Sequence, residues 1–270
     1  MLLAADCALS PNAAGAVIPR MARGARVLQL ENLMDISTGA DNALGGGVSI
    51  GLGLKNMLRP RGASRLGIPC QLFGTGMIFA ADMLTTLNFE DHLTEDLKLS
   101  HTLLMQGTPV HFVPEAQVIS VLPPDRHGLT VQRLRWEGGQ AHSFGGVFGM
   151  FMHLLARGRI RYALALLDWS APPLSMAVLY WLGMTIIFGA LILLRLAPPA
   201  TLAIPAGAAA LLLAYLAIGV TAIRGPLGFP KLLLGTPRFL AWKILVYIRM
   251  LLGRGAHAWE RTPRTVGEHS

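Results

Sequence analysis

Two long apolar stretches in tandem, Ala171–Leu194 and Ala200–Ile223, constrain this chain more than any other feature. From Ser170 to Ile223 the only charged residue is Arg195, in the break "RLAPPA". A helix needs about 20 residues to cross a hydrocarbon core of about 30 Å, and each stretch is long enough. Pro205 lies near the start of the second, where a helix tolerates proline best. Two buried helices of a soluble core are the other reading, but two such lengths in tandem are rare in soluble folds. The composition agrees with membrane spans: 53% of the residues are apolar and only 14% are charged, too few charges for an ordinary soluble chain of this length.

The net charge of +8 is unevenly placed, with eight Lys/Arg against two Glu after Ile223. Basic residues beside apolar spans point to a cytosolic membrane face and anionic headgroups. "ARGRIR" precedes the first span, and Arg224, Lys231, Arg238 and Lys243 follow the second. The positive-inside rule therefore puts both ends in the cytosol. "TPRFLAWKILVYIRMLLGR" is expected to be an interfacial amphipathic helix over residues 236–253, with Pro237 in its first turn and a polar tail over 254–270. Membrane lipids are thus expected partners. Nucleic acid is not, since no basic run is interleaved with aromatics. Cys7 and Cys70 lack metal-ligand spacing and suit a reducing compartment. No signal peptide is expected at "MLLAADCALSPNAAG".

Residues 1–150 alternate strand-like and helix-like segments, which predicts an α/β layer. "MLLAADCALSPNA" reads as a buried strand followed by a polar turn and a helix start. "RVLQL" (26–30) reads as a strand, and "QLFGTGMIFAA" (71–81) as Gly-rich punctuation before a second one. "TEDLKLSHTLLMQG" (94–107) carries a Thr94 N-cap, Glu95 and Asp96 in the first turn and Gly107 as C′. "TPVHFVPEAQVISVLP" (108–123) reads as extended.

Four polar landmarks follow one another in order: "AADCALSPNA", "FGTGMIF", "TED" (94–96) and "QRLRW" (132–136). Followed by membrane spans, they resemble the membrane-bound glycosyltransferases of family 2, the group of the cellulose, chitin and hyaluronan synthases. The tail "WERTPR" (259–264) also resembles those of related bacterial enzymes. The resemblance implies a partial GT-A domain, α/β, followed by transmembrane helices at a bacterial inner membrane. It implies inverting transfer from a nucleotide-diphosphate sugar to a glycan or lipid-linked acceptor. Asp96 is the implied general base, with Glu95 beside it. A carboxylate on the acceptor hydroxyl can take its proton during attack. The helix dipole is expected to lower both pKa values. Gln132, Arg135 and Trp136 are the implied grip on leaving diphosphate and sugar: a guanidinium fork for growing negative charge, a polar neighbour on the same helical face and an apolar plate. Gly74, Thr75 and Gly76 are expected to shape the acceptor wall. Taken alone, Glu95 and Asp96 read as helix-start residues, and "QRLRW" as a basic juxtamembrane helix.

The family holds Mg2+ or Mn2+ through a D-x-D motif of hard oxygen ligands. Here the aligned triplet is Ala4-Ala5-Asp6, so Asp6 is the remaining metal ligand. The family's nucleotide-binding half lies upstream of that motif. The chain is therefore expected to be an N-terminally truncated form with weak or no turnover. A catalytically dead scaffold that assembles with other polysaccharide-synthesis proteins is the first alternative. The second is a serine hydrolase using Ser49, since "GVSIG" fits G-x-S-x-G, whose serine must sit on a sharp strand-to-helix turn. The Gly-rich stretch is otherwise read as a mobile loop or a close-packed helix. His92, His101, His111, His127 and His142 show no metal-ligand spacing.

Overall fold

The computed structural model describes residues 1–5, 7–35, 42–84, 95–123, 125–142, 145–225 and 228–252. A four-stranded mixed sheet has the order β1-β4-β2-β3. Its strands are β1 Cys7–Leu9, β2 Val27–Asp35, β3 Met77–Phe79 and β4 Val110–Val121. The central pair β2 and β4 is parallel, and β1 and β3 add antiparallel edges. Strand β2 is covered on both faces: Val27, Leu28, Gln29, Leu30 and Glu31 are all fully buried. The register slips between Leu30 and Glu31, where partners jump from Val113 to Gln117. Pro114, which has no N–H to give to a ladder, falls in that slip. Strand β1, within the stretch expected to be a buried strand, instead forms a half-exposed edge. It runs antiparallel to β4, and Leu2 bridges to Met77.

One sheet face packs on α1 Ala13–Ala22, around Leu28, Leu30, Val113 and Val118. The other packs on α5 Glu95–Gln106, around Val27, Leu99, Leu103 and Phe112. Helix α5 ends as its residues dictate: Gly107 has φ +80°, and the N–H groups of Gly107 and Thr108 return to Leu104 and Leu103. Thr94, the expected N-cap, lies outside the described residues.

Between β2 and β3 runs a long helical stretch: α2 Asn42–Gly53, a π segment Leu54–Leu58, and α3 Arg59–Arg65. The wide turn has a local cause. Pro60 has no N–H, and its ring would crowd the carbonyl of Asn56 in an ordinary helix. Widening to an i to i−5 bond, made by Arg59 N–H to Leu54 O, relieves this. A short α4, Ala81–Leu84, follows β3.

After β4 come α6 Arg126–His142, α7 Val147–Ala156 and α8 Ile160–Trp169. Helices α7 and α8 do not merely lead into the apolar region, because they bury Leu154, Ala163, Ala165, Leu166 and Trp169 with Leu104 of α5. Arg159 and Tyr162 also donate to the carbonyls of Met105 and Gly107 at the end of α5. The packed polar part thus extends to Trp169, past the expected boundary at 150.

The apolar stretches form α9 Leu174–Leu193 and α10 Ala203–Arg224, the latter entered through a 3-10 turn at Pro199–Leu202. Both are long and apolar enough to cross a membrane, with mean hydropathy 2.2 and 2.1. The apolar window is 0% buried in the first and 17% buried in the second, so neither is the core helix of a soluble fold. Trp181 Nε1 donates to Pro205 O across the pair. The lower part of α10 docks on the π segment, burying Leu54 and Ile50 with Leu216 and Val220.

Helix α11 runs Gly228–Leu251. It starts upstream of the expected position, and Pro237 lies inside it rather than in its first turn. One face buries Trp242, Lys243 and Val246 against α2 and α6. The other exposes Leu234, Ile244, Leu245, Ile248 and Leu251. The tail 254–270, with its "WERTPR", lies outside the described residues.

Candidate functional site

Asp96 opens α5, and the sheet brings a glycine turn against it. A Cβ at Gly74 would lie 3.5 Å from Asp96 Oδ2. Gly74 and Gly76 have φ of +76° and +66°, a conformation that glycine adopts without strain. Three polar groups fix this turn. Gln29, buried in β2, accepts from Phe73 N–H at 3.0 Å and donates to Thr75 O at 2.9 Å. Ser100 Oγ accepts from Leu72 N–H at 2.9 Å and donates to Asp96 O at 2.7 Å. Thr75 is buried, and its Oγ1 accepts from Ala4 N–H at 3.1 Å.

Gly76 tolerates no side chain. An added Cβ would sit 2.7 Å from Val118 Cγ2 and 3.2 Å from Leu30 Cβ, both in the packed sheet. Gly76→Ala is expected to cost about 1–3 kcal/mol, from overpacking and positive φ together. A lowered midpoint of chemical unfolding, with the slope unchanged, checks this.

The carboxyl of Asp96 feels two cations. Its negative charge acts on Lys55, in the π segment, and on Arg135, on α6. Burial pushes Asp96 above the usual carboxylate range; Lys55, the N–H of Leu97 at 2.8 Å and Arg135 pull in the opposite direction and do not cancel it. The expected lowering by the helix dipole is therefore overturned, because desolvation of the carboxylate outweighs the local N–H groups. Burial likewise lowers Lys55, with Asp96 partly offsetting it, and Arg135, again offset by Asp96. Glu95, the neighbour of Asp96, is exposed.

Sequence reasoning missed Lys55 and Gln29. Lys55 did leave a signal, as the only charged residue from Asn42 to Leu58. Gln29 left none within its strand.

On α6, Gln132 is 1% exposed, and its Oε1 has no hydrogen-bond partner among the described residues. Arg135 is half-buried. Trp136 is not a free plate: it packs against the cluster of Leu44, Val48, Trp242 and Val246, with the Arg133 guanidinium 4.7 Å from its ring centre. The opposite side of α6 holds a buried charge pair, Glu137 with Lys243 of α11. Arg133 lies 4.0 Å from the same carboxylate. Burial lowers Lys243 to about 8, against the raising effect of Glu137.

The hydrolase alternative fails on geometry. Ser49 sits in the middle of α2, buried and within helix, not on a strand-to-helix turn. The Gly-rich stretch is a close-packed helix, since a Cβ at Gly47 would meet Phe239 at 2.6 Å.

Asp6, the expected metal ligand, lies outside the described residues. Ala4 presents a methyl where the resemblance expects a carboxylate. Among the described residues no group of three or more His, Cys, Asp or Glu is placed to hold a metal ion.

No curated protein matches this chain. The family model described as glycosyl transferase family group 2 matches residues 5–222, from the segment after Ala4 to the end of the second apolar helix.

Proposed function

Because the chain belongs to glycosyl transferase family group 2, we propose that it transfers a sugar, with inversion, from a nucleotide-diphosphate donor to a glycan or lipid-linked acceptor at a bacterial cytoplasmic membrane. The observation that carries this is that the half-buried Asp96 feels the charges of Lys55 and Arg135 and lies against the Gly74 turn. Asp96 takes the proton of the acceptor hydroxyl as its oxygen attacks the anomeric carbon. The bond from that carbon to the diphosphate breaks, and its electron pair leaves with the nucleoside diphosphate. A raised pKa makes Asp96 a stronger base than a free aspartate. Lys55 and Arg135 face the negative charge that grows on the leaving group. The buried, unpartnered Oε1 of Gln132 suits a sugar hydroxyl as donor.

Helices α9 and α10 supply the membrane attachment in this proposal, with both ends in the cytosol and α11 in the interface. The test is release of nucleoside diphosphate from a panel of nucleotide sugars by the full chain in membranes. Turnover indistinguishable between the native chain and Asp96→Asn would sink the assignment.

The pH profile gives a second check. Transfer needs Asp96 ionised, and its pKa is raised. The acid limb of kcat/KM is therefore expected above the ordinary carboxylate range, with rate lost as pH falls through it. A limb at or below the pKa of a free aspartate contradicts the half-buried base.

Ala4 favours one second reading, a family member that keeps the fold to assemble with polysaccharide-synthesis proteins without turnover. Its Ala4 N–H still ties the segment to Thr75 without a carboxylate. A folded native chain inert towards the whole panel selects that reading.

A further inference from the structure

A groove separates the first turn of α6 from the C-terminal part of α11. Its volume is about 410 Å³, and Arg126, His127, Thr130, Trp242, Leu245 and Arg249 are among its lining residues. Two features mark this lining. The cations are exposed, and neither Arg126 nor Arg249 has an ion-pair partner among the described residues. The nearest acid in sequence, Asp125, is engaged in capping α6, accepting from Gly128 N–H at 2.6 Å. The floor is fixed and apolar: Trp242 is buried and donates to Thr130 Oγ1 at 3.0 Å, and Val246 is 1% exposed.

The groove also continues into an apolar outer surface. Leu245, in its wall, is half exposed, and Ile244, Ile248 and Leu251 extend the same greasy face of α11. A soluble anion would use the arginines and leave this wall unused. A molecule with a negatively charged head and hydrocarbon chains would use both.

We propose that this groove is a binding site for an anionic phospholipid, with the phosphate held by Arg126 and Arg249 and an acyl chain lying along Leu245 and the outer face of α11. The proposal rests on the membrane attachment stated above, and it adds a lipid-specific site to it. Arginine suits the role, since its planar fork matches phosphate oxygens. The first turn of α6 adds the positive end of its dipole.

The test is native mass spectrometry of the full detergent-solubilised chain, titrated separately with phosphatidylglycerol and phosphatidylcholine. One phosphatidylglycerol is expected to bind in preference to phosphatidylcholine. Arg126→Gln with Arg249→Gln is expected to weaken it roughly 30-fold, about fivefold per arginine. Arg126→Lys with Arg249→Lys is expected to keep much of the preference. Both arginines are exposed, so neither change empties the core, and unchanged far-ultraviolet circular dichroism checks the fold. A control pair of equal charge loss, Arg157→Gln with Arg161→Gln, is expected to leave binding intact. Equal loss in that control overturns the site in favour of general charge attraction. Displacement of the lipid by millimolar inorganic phosphate overturns it in favour of a soluble-anion site. A chain that remains soluble and monodisperse without detergent defeats the membrane attachment itself, a different result from a chain that needs detergent but does not discriminate between the two lipids.

Discussion

Asp96→Asn is expected to lower the rate of sugar transfer by about 10²–10⁴-fold while leaving the chain folded. The asparagine has the same shape, and its amide oxygen can still accept the N–H of Leu97 that Asp96 Oδ1 accepts at 2.8 Å. What is lost is the proton acceptor. Burial already disfavours the charge at this position, so the neutral side chain removes a desolvation cost, and stability is expected to hold or rise. A large fall in kcat with an unchanged or higher unfolding midpoint is the signature. Glu95→Gln is the comparison: Glu95 is exposed on the first turn of the same helix, and its loss is expected to change the rate little. Equal losses in the two variants would remove Asp96 from the chemistry and leave both as helix-start residues.

Lys243→Met is expected to cost about 3–5 kcal/mol, because it leaves a buried carboxylate without its main partner. Lys243 is 2% and Glu137 7% exposed at the side chain, and the ammonium bonds directly to Glu137 Oε1. Arg133, 4.0 Å away, is too distant to replace it. The remedy is specific. Adding Glu137→Gln removes the stranded charge, and the double variant is expected to recover most of the loss. Chemical unfolding of the two single variants and the double measures the coupling. The consequence reaches activity, because Glu137 lies on the helix that carries Gln132 and Arg135. Strictly additive costs would show that α11 and α6 are held by their apolar contacts alone.

Local chemistry made part of this molecule legible from its residues. Gly107 ended α5 where its missing Cβ permits positive φ. Val27 to Leu30 paired as a strand because an apolar run suits a position covered on both faces. The two apolar helices followed from length and hydropathy. What was not legible is long-range. Lys55 feels the charge of Asp96 from a widened helix turn about forty residues upstream. Gln29 clamps a turn 44 to 46 residues away. The direction of the Asp96 shift could not be read from its helix position, since neighbours from other elements strip its water. Trp136 has the residue type of a sugar platform, yet α2 and α11 cover part of it. Pro237 has the chemistry of a helix start, but packing carries α11 through it.

Gly219 of α10 fits against Leu54 so closely that a Cβ there would come within 2.0 Å of Leu54 Cδ2, and Leu54 is the residue before Lys55. The apolar helix is therefore no interchangeable tether. Exchanging it for another sequence of equal greasiness would press a methyl or larger group onto Leu54, so a substitution made deep in oil would have to be absorbed by the segment that carries Lys55.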